Sequence, residues 1–495
     1  MINRILMIDV DLDSSSMKSR PYSHHPLGLM YLSAFCKNVF RDIECRIFHT
    51  STSSDPRSDL KALTSDFHPD LIGFRSLSIA QGMFKDITRY VRRMDPRVLL
   101  VAGGPYPSTS YDELLNQKLV DVVVMGEGER TFTDIVGALR DKGEIPRDLC
   151  GTAVKNGGHI RVNPPAEPIQ DLDALPFPDY SIIDLKAYDG LVNQALEDTS
   201  QCAFIFCSRG CPYRCFYCHR LFAKKLRRRS AENILSEMQE RVEKHGVNRF
   251  VIVDDLFNVP MRAAKEILTL IAKRLPGIRL SFPNGLRSDH IDEELLDLFE
   301  EAGTTMMAFA VETASKRLQK KIGKNLDLTK AKAAIHSASK RFIVRTFYMI
   351  GFPTETEEEA IETIRFASDL DHVCSPFLSV VRLFKGTTLF DDLQPTEEQI
   401  SKLDRQEQMD YVPRLYEEPV YYGDLFPRDK VPLTGVDIRR LRWKWLVAVF
   451  NNKTRVANGH RVLQKHLDSD RVIDFYRVMY ENPEFNEQAL QRLLK

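Results

Sequence analysis

The sequence predicts an α/β protein with two sheet domains and a mainly helical C-terminal region. Residues 1–150 and about 200–390 each alternate short apolar runs with helical patterns. Continuous apolar runs separated by helices are typical of parallel sheets that are covered on both faces. We therefore expect an N-terminal doubly wound, Rossmann-like domain, then a partial (β/α)6 TIM-like barrel, then helices.

The N-terminal 150 residues carry the pattern of the doubly wound sheet. Helical patterns such as 82–93 and 131–142 follow apolar runs, which are 5–10, 71–74, 98–102 and 120–125. In such a sheet, ligands bind beyond the carboxyl ends of the strands. The loops expected there contain Ser76, Gly103-Gly104-Pro105-Tyr106 and Gly126-Glu127-Gly128-Glu129. Glycine in these loops lets the backbone approach a ligand closely.

Residues 151–195 are expected to connect the two sheets. A hairpin is predicted around Asn156-Gly157-Gly158, and the prolines that follow are typical of a linker laid across a surface. The predicted divisions are therefore 1–150, a linker with a hairpin over 151–195, a core over 196–390 and a helical region over 391–495.

The predicted core contains six strand and helix units, which suits a partial barrel. Its candidate strands are 203–206, 249–253, 279–282, 306–311, 344–350 and 377–381. Barrel enzymes place their chemistry at the carboxyl ends of the strands. Helical spacing over 434–453 and 461–480 favours a cap of helices beyond the barrel.

The composition excludes several functional classes. Lysine plus arginine equals aspartate plus glutamate at 69 each, so no basic footprint indicates nucleic acid. No apolar run is as long as a membrane span, and the start of the chain has the pattern of a strand rather than of a signal peptide. Nine cysteines without a secretion signal favour the reducing cytoplasm, where thiols stay free for metal.

Three cysteines lie close together just after the first strand of the core. Cys211, Cys215 and Cys218 occur in the stretch Cys-Pro-Tyr-Arg-Cys-Phe-Tyr-Cys. Because iron–sulfur clusters normally use four cysteines, a triplet leaves one iron of a [4Fe–4S] cluster open to a small molecule. This spacing, with Tyr217 before the last cysteine, resembles the radical S-adenosylmethionine (SAM) superfamily.

Two other interpretations of the cysteines remain open. A zinc site could use His219 as a fourth ligand, although the four-residue step from Cys211 to Cys215 is unusual for a zinc knuckle. An electron-transfer protein would instead hold a cluster whose irons are all ligated. Cys207 ends an apolar run and is expected in the core.

The radical SAM resemblance implies a set of SAM contacts at the strand ends. Tyr217 would lie against the adenine, and a carboxylate after the second strand would accept from the methionine amino group. Here two aspartates replace the family's Gly-Glu motif, so a structural role at a helix start is the alternative. An ion pair, such as one with Arg317, is the alternative for Glu312. The implied contacts are Tyr217, Asp254, Asp255, Asn284, Gly285, Arg287, Glu312 and Gly351.

The N-terminal domain resembles the cobalamin-binding domain found in front of many radical SAM enzymes. The resemblance rests on Pro26-Leu27-Gly28-Leu29 and on the glycine loops. The cobalamin contacts that it implies are Leu27, Gly28, Arg75, Ser76, Gly103, Gly104, Pro105, Tyr106, Gly126, Glu127, Gly128 and Glu129.

One departure concerns the cobalt ligand. No Asp-x-His-x-x-Gly loop occurs between Asp9 and Leu27, and the only nearby histidines, His24 and His25, lack that context. The sequence therefore predicts cobalamin bound without a protein histidine ligand, or a domain that has lost the cofactor.

The resemblance implies reductive cleavage of SAM and, with cobalamin, methyl transfer to an unactivated carbon or phosphorus of a small metabolite. A radical cyclase, rearrangement or dehydratase-type enzyme is the alternative. The expected partners are a small-molecule substrate and an external one-electron reductant such as flavodoxin or ferredoxin. These cofactors carry out the radical chemistry, while the protein orients and shields them.

Overall fold

The computed structural model describes residues 2–11, 23–219, 222, 224–407, 421–480, 482 and 484–494. Its N-terminal part is a seven-stranded sheet in the order β2-β1-β3-β4-β5-β6-β7. The first five strands are parallel, as expected for a doubly wound domain. The elements are β1 (Arg4–Val10), α1 (Leu27–Val39), β2 (Glu44–His49), α2 (Pro56–Phe67), β3 (Leu71–Ser76), α3 (Gln81–Met94), β4 (Leu99–Gly103), α4 (Pro105–Thr109), α5 (Tyr111–Asn116), β5 (Val122–Val124), α6 (Glu129–Lys142), β6 (Thr152–Asn156) and β7 (His159–Val162).

Both faces of this sheet are covered by helices. Leu6 and Ile8 of β1 pack with residues of α2 and α3, whereas Ile5 and Met7 pack with residues of α1 and α6. Alternate residues of a strand point to opposite faces, so a continuous apolar run serves both cores.

Strand β2 was not predicted from the sequence, although the structure contains it. It lies at the edge of the sheet and carries charged residues at Glu44 and Arg46. An edge strand tolerates such residues because one side faces solvent, and its apolar run is therefore interrupted.

The expected hairpin is present, and it extends the N-terminal sheet. β6 pairs antiparallel with β5, with Val154 opposite Val122, and β7 pairs with β6 around Gly157 and Gly158. The first part of the stretch expected as a linker is thus integrated into the sheet.

The second sheet has six parallel strands in the order β15-β14-β13-β12-β11-β8, as expected for a partial barrel. A short antiparallel ribbon, β9–β10, stands apart from it. The elements are β8 (Cys202–Ile205), β9 (Ser208–Arg209), β10 (Arg227–Arg228), α7 (Ala231–His245), β11 (Arg249–Ile252), α8 (Met261–Arg274), β12 (Arg279–Leu286), α9 (Glu293–Glu301), β13 (Thr304–Glu312), α10 (Lys316–Lys321), α11 (Leu328–Arg341), β14 (Ile343–Ile350), α12 (Glu357–Ser368) and β15 (Ser375–Val380).

Helices dominate the remaining chain. Leu441 and Trp445 belong to the same apolar core as Tyr348 of β14, so the helical region packs onto the second sheet. None of the helices in the described residues has the length and apolarity to cross a membrane. The helices are α13 (Thr388–Leu393), α14 (Glu397–Glu407), α15 (Gly435–Trp445), a π-helical turn (Leu446–Phe450), α16 (Lys453–His466), α17 (Ser469–Met479) and α18 (Glu487–Leu494).

Candidate active site

A cavity of about 400 Å³ lies between the two sheet domains. Its lining comes from the loops at the carboxyl ends of strands in both domains. From the N-terminal domain, the expected ligand contacts that line it are Leu27, Gly28, Arg75, Gly103, Gly104, Pro105, Gly126, Glu127, Gly128 and Glu129. From the second domain, Asp255 and Asn284 line it, together with Phe204, Phe206 and Phe222. One chamber thus brings together residues that the sequence predicted for two separate sites.

Ser76 and Tyr106 are expected ligand contacts that lie outside the cavity lining. The Ser76 hydroxyl is buried and donates to the Val10 carbonyl at 2.9 Å. Tyr106 is buried in the domain core, where its ring packs edge-on against Phe84 at 5.3 Å. Both side chains therefore support the strand ends from within the domain.

The cysteine triplet lies in the loop between β9 and β10. Burial raises the pKa of all three thiols, and that of Cys218 to about 12. The thiols are therefore protonated at neutral pH before metal binds, and thiolate ligation releases their protons. In the described part of the chain, the only trio of ligand atoms within 4.8 Å of one another belongs to Asp9, His24 and His49. The cysteine sulfurs thus stand farther apart than one tetrahedral zinc ion requires.

His219 and Cys207 have other partners in the structure. The His219 ring nitrogen lies 3.2 Å from the Ser78 hydroxyl of the N-terminal domain, and its ring packs on Phe384. Cys207 is fully buried, as the sequence predicted. Neither residue extends the cysteine triplet into a four-ligand set.

Two arginines hold the Gly126–Glu129 loop against the ribbon that frames the cysteines. Arg209 and Arg227 are paired opposite each other on β9 and β10. Arg209 donates to Glu129 at 2.6 Å, and Arg227 forms a two-pronged contact with Glu127. All four side chains are at least nine-tenths buried. The carboxylates that the sequence assigned to a ligand thus join the two domains.

Asp254 and Asp255 follow β11 but face different surroundings. The Asp254 carboxylate is buried and accepts from the Cys207 amide at 2.6 Å and from the Ser208 hydroxyl. Burial raises the pKa of Asp254 to about 6 despite these hydrogen bonds. Asp255 lines the cavity, and partial desolvation by the surrounding protein raises its pKa. Only Asp255 is placed to meet a ligand.

The ends of β12 and β13 supply two more expected contacts. The Asn284 amide donates to the Val253 carbonyl at 2.8 Å while the residue lines the cavity. Gly285 has a φ of +100°, which favours glycine, and a Cβ there would lie 3.4 Å from that of Ala310.

Glu312 has an ion-pair partner that the sequence analysis missed. Its carboxylate lies 3.0 Å from the Lys324 ammonium, whereas Arg317 pairs with Glu359. Burial and the nearby Glu312 charge raise the pKa of Tyr217 well above its usual value. Lys324 acts in the opposite direction on the three thiols, whose pKa values its charge lowers in part. Its position after α10 carries no motif that could have identified it.

Arg287 is occupied by protein partners. Its guanidinium donates to Asp289 and to the carbonyls of Lys324 and Asn325, and it stacks 3.9 Å from the Tyr213 ring centroid. The expected clamp on a SAM carboxylate would require these bonds to break. Arg287 instead ties the loop after α10 to the cysteine loop.

Both backbone groups of Gly351 are also occupied. Its carbonyl accepts from the hydroxyls of Tyr421 and Tyr422 at 2.9 and 2.7 Å, and its amide donates to Glu355. The neighbouring Phe352 packs against Tyr217 at 5.7 Å. The contact between the Gly351 backbone and adenine stays a prediction, and a hydrogen bond there would compete with these protein partners. Tyr421 and Tyr422 support the Tyr217 side of the site.

A charged network forms one wall of the cavity. Arg75 donates to Asp9 at 3.0 Å and lies 3.2 Å from a His24 nitrogen. Burial opposes ionisation of Asp11, but hydrogen bonds from His24 and His49 outweigh it and keep the pKa of Asp11 below its usual range. Because the Arg75 cation already lies beside Asp9 and His24, the trio with His49 is better described as an ion-pair network than as a metal site.

His25 has different surroundings from His24. Burial lowers its pKa to about 3, so its ring is neutral. The ring packs against Tyr188 and Phe204 at 4.8 Å, and neither nitrogen has a hydrogen-bond partner among the described residues. His25 contributes to the cavity lining, but its ring nitrogens are buried away from the open space.

Two known families match the two domains. The radical SAM superfamily matches residues 205–367, which include the cysteine triplet. The B12 binding domain family matches residues 16–136, which include the glycine loops. The chain belongs to the radical SAM enzymes that carry a B12-binding domain.

The curated relatives of this B12-binding radical SAM enzyme are named for different reactions. An uncharacterized methyltransferase of Pyrococcus horikoshii is 27% identical over 395 residues, covering 79% of this chain and 83% of the relative. An anaerobic magnesium-protoporphyrin IX monomethyl ester cyclase of Rubrivivax gelatinosus is 24% identical, covering 70% and 62%. Cytidylyl-2-hydroxyethylphosphonate methyltransferase of Streptomyces wedmorensis is 25% identical, covering 67% and 70%.

Solved structures of the same kind share the fold. The radical SAM methyltransferase TsrM from Kitasatospora setae, with cobalamin and a [4Fe–4S] cluster bound, aligns with a TM-score of 0.65 at 19% identity. That alignment covers 84% of this chain and 80% of TsrM. OxsB, with aqua-cobalamin and SAM bound, aligns with a TM-score of 0.65 at 15% identity, covering 99% and 74%.

The residues of this radical SAM enzyme fit the cofactors that its two domains imply. Three cysteines on one loop suit a cluster with one open iron. For a corrinoid, a Cβ placed at Gly28 or Gly126 would meet no heavy atom within 4 Å, so the backbone there leaves room.

Proposed function

We propose that this enzyme is a cobalamin-dependent radical SAM methyltransferase that acts on an unactivated carbon or phosphorus of a small metabolite. The observation that carries the proposal is the single cavity between the domains. Its lining combines Gly28, Gly104 and Gly126 of the B12-binding domain with Asp255 and Asn284 of the radical SAM domain. A methyl carrier and a radical source that share one chamber can act on the same substrate atom.

The SAM half of the site would use fewer residues than the family resemblance implies. Cys211, Cys215 and Cys218 would hold the cluster. Asp255 would accept from the SAM ammonium, because it lines the cavity and its carboxylate has no hydrogen-bond donor among the described residues. Asn284 would bind beside it, with its orientation held by the Val253 carbonyl.

Other residues would position this half without contacting SAM. Asp254 holds the start of the cysteine loop, and Arg287 holds Tyr213 within that loop. Tyr421 and Tyr422 hold the Gly351 turn against Tyr217.

The corrinoid half would be held by the glycine loops. When bound, cobalamin supplies a carrier for a methyl group. Arg75 lines the cavity and cannot ligate a metal, since its guanidinium stays protonated and is paired with Asp9. Phe204, Phe206 and Phe222 add an apolar wall that would keep water from a substrate radical.

The reaction balances with two molecules of SAM and two electrons. One SAM gives its methyl group and leaves S-adenosylhomocysteine. The other is cleaved by one electron to methionine and a deoxyadenosyl radical, which takes the substrate hydrogen and becomes 5′-deoxyadenosine. The second electron completes the bond between the methyl group and the substrate radical, so no proton is released overall.

The electrons would come from a one-electron carrier such as flavodoxin or ferredoxin, since radical SAM enzymes in general use external reductants. Such carriers and the unpaired cysteines support a cytoplasmic location.

The experiment uses the full-length enzyme, purified anaerobically and reconstituted with iron, sulfide and hydroxocobalamin. Four irons and one corrinoid per chain are expected, and reduction in the presence of SAM should give 5′-deoxyadenosine. With candidate substrates and methyl-labelled SAM, the label should enter the product, and S-adenosylhomocysteine should equal the methylated product. Formation of 5′-deoxyadenosine with an unmethylated, cyclised product would show that the enzyme is a cyclase and not a methyltransferase. Stoichiometric zinc without labile sulfide would overturn both.

A further inference from the structure

The exposed side of the cysteine loop carries positive charge that is not paired with a carboxylate of the described residues. Arg214 of the loop and Lys316, Lys320 and Lys321 of α10 are exposed. No carboxylate of the described residues lies within 4 Å of any of these four cations. We call these four residues the basic face.

The basic face is joined directly to the cysteine loop. The Phe216 amide donates to the Ile322 carbonyl at 3.0 Å, just beyond the end of α10. A Cβ at Gly323 would lie 2.5 Å from the Arg214 carbonyl oxygen, so only glycine lets the two segments come this close. Lys320 and Lys321 therefore lie within one helical turn of the backbone that carries the cluster ligands.

Unlike the four residues of the basic face, the charged side chains next to it already have protein partners. Arg317 is bound to Glu359, and Lys324 is bound to Glu312 at 3.0 Å. Asp327 is a nearby exposed carboxylate, and it caps α11 by accepting from the Thr329 and Lys330 amides. The enzyme as a whole has as many acidic as basic residues, so this concentration of cations is local.

We infer that the basic face is the docking surface for an acidic one-electron carrier protein that reduces the cluster. The inference rests on the proposed function, because only a redox cluster needs an electron. The SAM cavity lies between the domains, so a large carrier must approach the cluster from the protein surface, and the exposed lysines of α10 lie on that surface next to the cysteine loop. Opposite charge at this point would steer and orient the carrier close to the cluster.

The test compares reduced flavodoxin with dithionite as the electron source. Lys320→Glu/Lys321→Glu should lower flavodoxin-driven formation of 5′-deoxyadenosine about ten-fold or more at low salt. It should leave the dithionite-driven rate and the cluster absorbance unchanged. The wild-type flavodoxin rate should fall as salt rises, whereas the rate of the variant should change little.

The matched control is Lys61→Glu/Lys273→Glu, which reverses two exposed lysines on α2 and α8. Both reductants should drive this control at the wild-type rate. Equal flavodoxin rates in the wild type and in Lys320→Glu/Lys321→Glu would overturn the docking surface. Absence of 5′-deoxyadenosine with dithionite in the wild-type enzyme would instead overturn the proposed function.

Discussion

The guanidinium of Arg209 lies 2.6 Å from the carboxylate of Glu129, and this buried ion pair crosses the boundary between the two domains. Arg209 precedes the cysteine loop, and Glu129 begins α6 beside the cavity. The pair thus fixes the cluster loop relative to the glycine loops of the B12-binding domain. Because both side chains are buried, each charge lacks water and is stabilised mainly by the other.

Arg209→Met should therefore destabilise the folded enzyme by about 3–5 kcal/mol, since it leaves a buried carboxylate without its partner. The measurement is the urea midpoint of the metal-free protein. Lys385→Met is the matched control, because Lys385 and Asp112 also pair across the domains but are 45% and 49% exposed. Its effect should stay below about 1 kcal/mol. Equal midpoints for the two variants would argue against a special role for the buried pair.

Gly28→Leu should block corrinoid uptake. Gly28 lies on α1 and lines the cavity, and a side chain there would extend into open space. Leucine would fill that space, whereas Gly28→Ala would add one methyl group and favour the helix by about 1 kcal/mol. The corrinoid retained after gel filtration should be lost in the leucine variant and kept in the alanine variant, with equal iron in both. Full retention by Gly28→Leu would remove α1 from the corrinoid site.

Asp255→Asn should weaken SAM binding. The change removes a cavity-facing charge, and a hydrogen bond to a charged group contributes about 1.5–3 kcal/mol, so the Kd should rise roughly ten-fold or more. Equilibrium dialysis on iron-replete protein would measure it. Asp254→Asn is the matched variant: it should lower stability by about 1–3 kcal/mol, because one amide oxygen cannot serve both Cys207 and Ser208, but it should leave the SAM Kd unchanged. If Asp254→Asn weakened SAM binding and Asp255→Asn did not, Asp254 would be the SAM contact and Asp255 the structural residue.

This aspartate pair shows what the sequence could predict. The parallel strands other than the edge strand β2 were predictable because their apolar runs are buried, and the position of the pair at the end of β11 followed from them. Which carboxylate turns inward was not predictable, since the chain leaves the strand there and the alternation of faces ends.

Contacts between distant segments escaped prediction for a related reason. Lys324 and Tyr421 carry no motif, and they reach Glu312 and Gly351 only through the tertiary fold. The Gly126–Glu129 motif was placed correctly beside the cavity, but its glutamates bind arginines that no local pattern indicates.

Tyr421→Phe/Tyr422→Phe should raise the KM for SAM with little change in kcat. Without both hydroxyls the buried Gly351 carbonyl loses its donors, which costs about 1–3 kcal/mol and loosens the turn that supports Tyr217. Either single variant keeps one donor and should show a smaller effect. The measurement is the SAM dependence of 5′-deoxyadenosine formation. An unchanged KM in the double variant would confine the tyrosines to general stability.

Glu355 should make stability depend on pH. Burial raises its pKa from 4.5 to about 8, although the Phe352 and Gly351 amides oppose the shift. The folded state therefore keeps a proton that the unfolded state loses near pH 4.5. The resulting stabilisation is complete below that pH, falls as pH rises and is lost above about 8.

Glu355→Gln has no proton to lose at this position and should remove this slope. The difference in unfolding free energy between wild type and variant should change by a few kcal/mol from pH 5 to 8, and little above 8. Glu358→Gln is the control, because Glu358 is exposed and its pKa lies below 4.5, so it should follow the wild type through this range. Parallel curves for wild type and Glu355→Gln would mean that Glu355 is ionised in the folded enzyme, with its charge stabilised by the two amides.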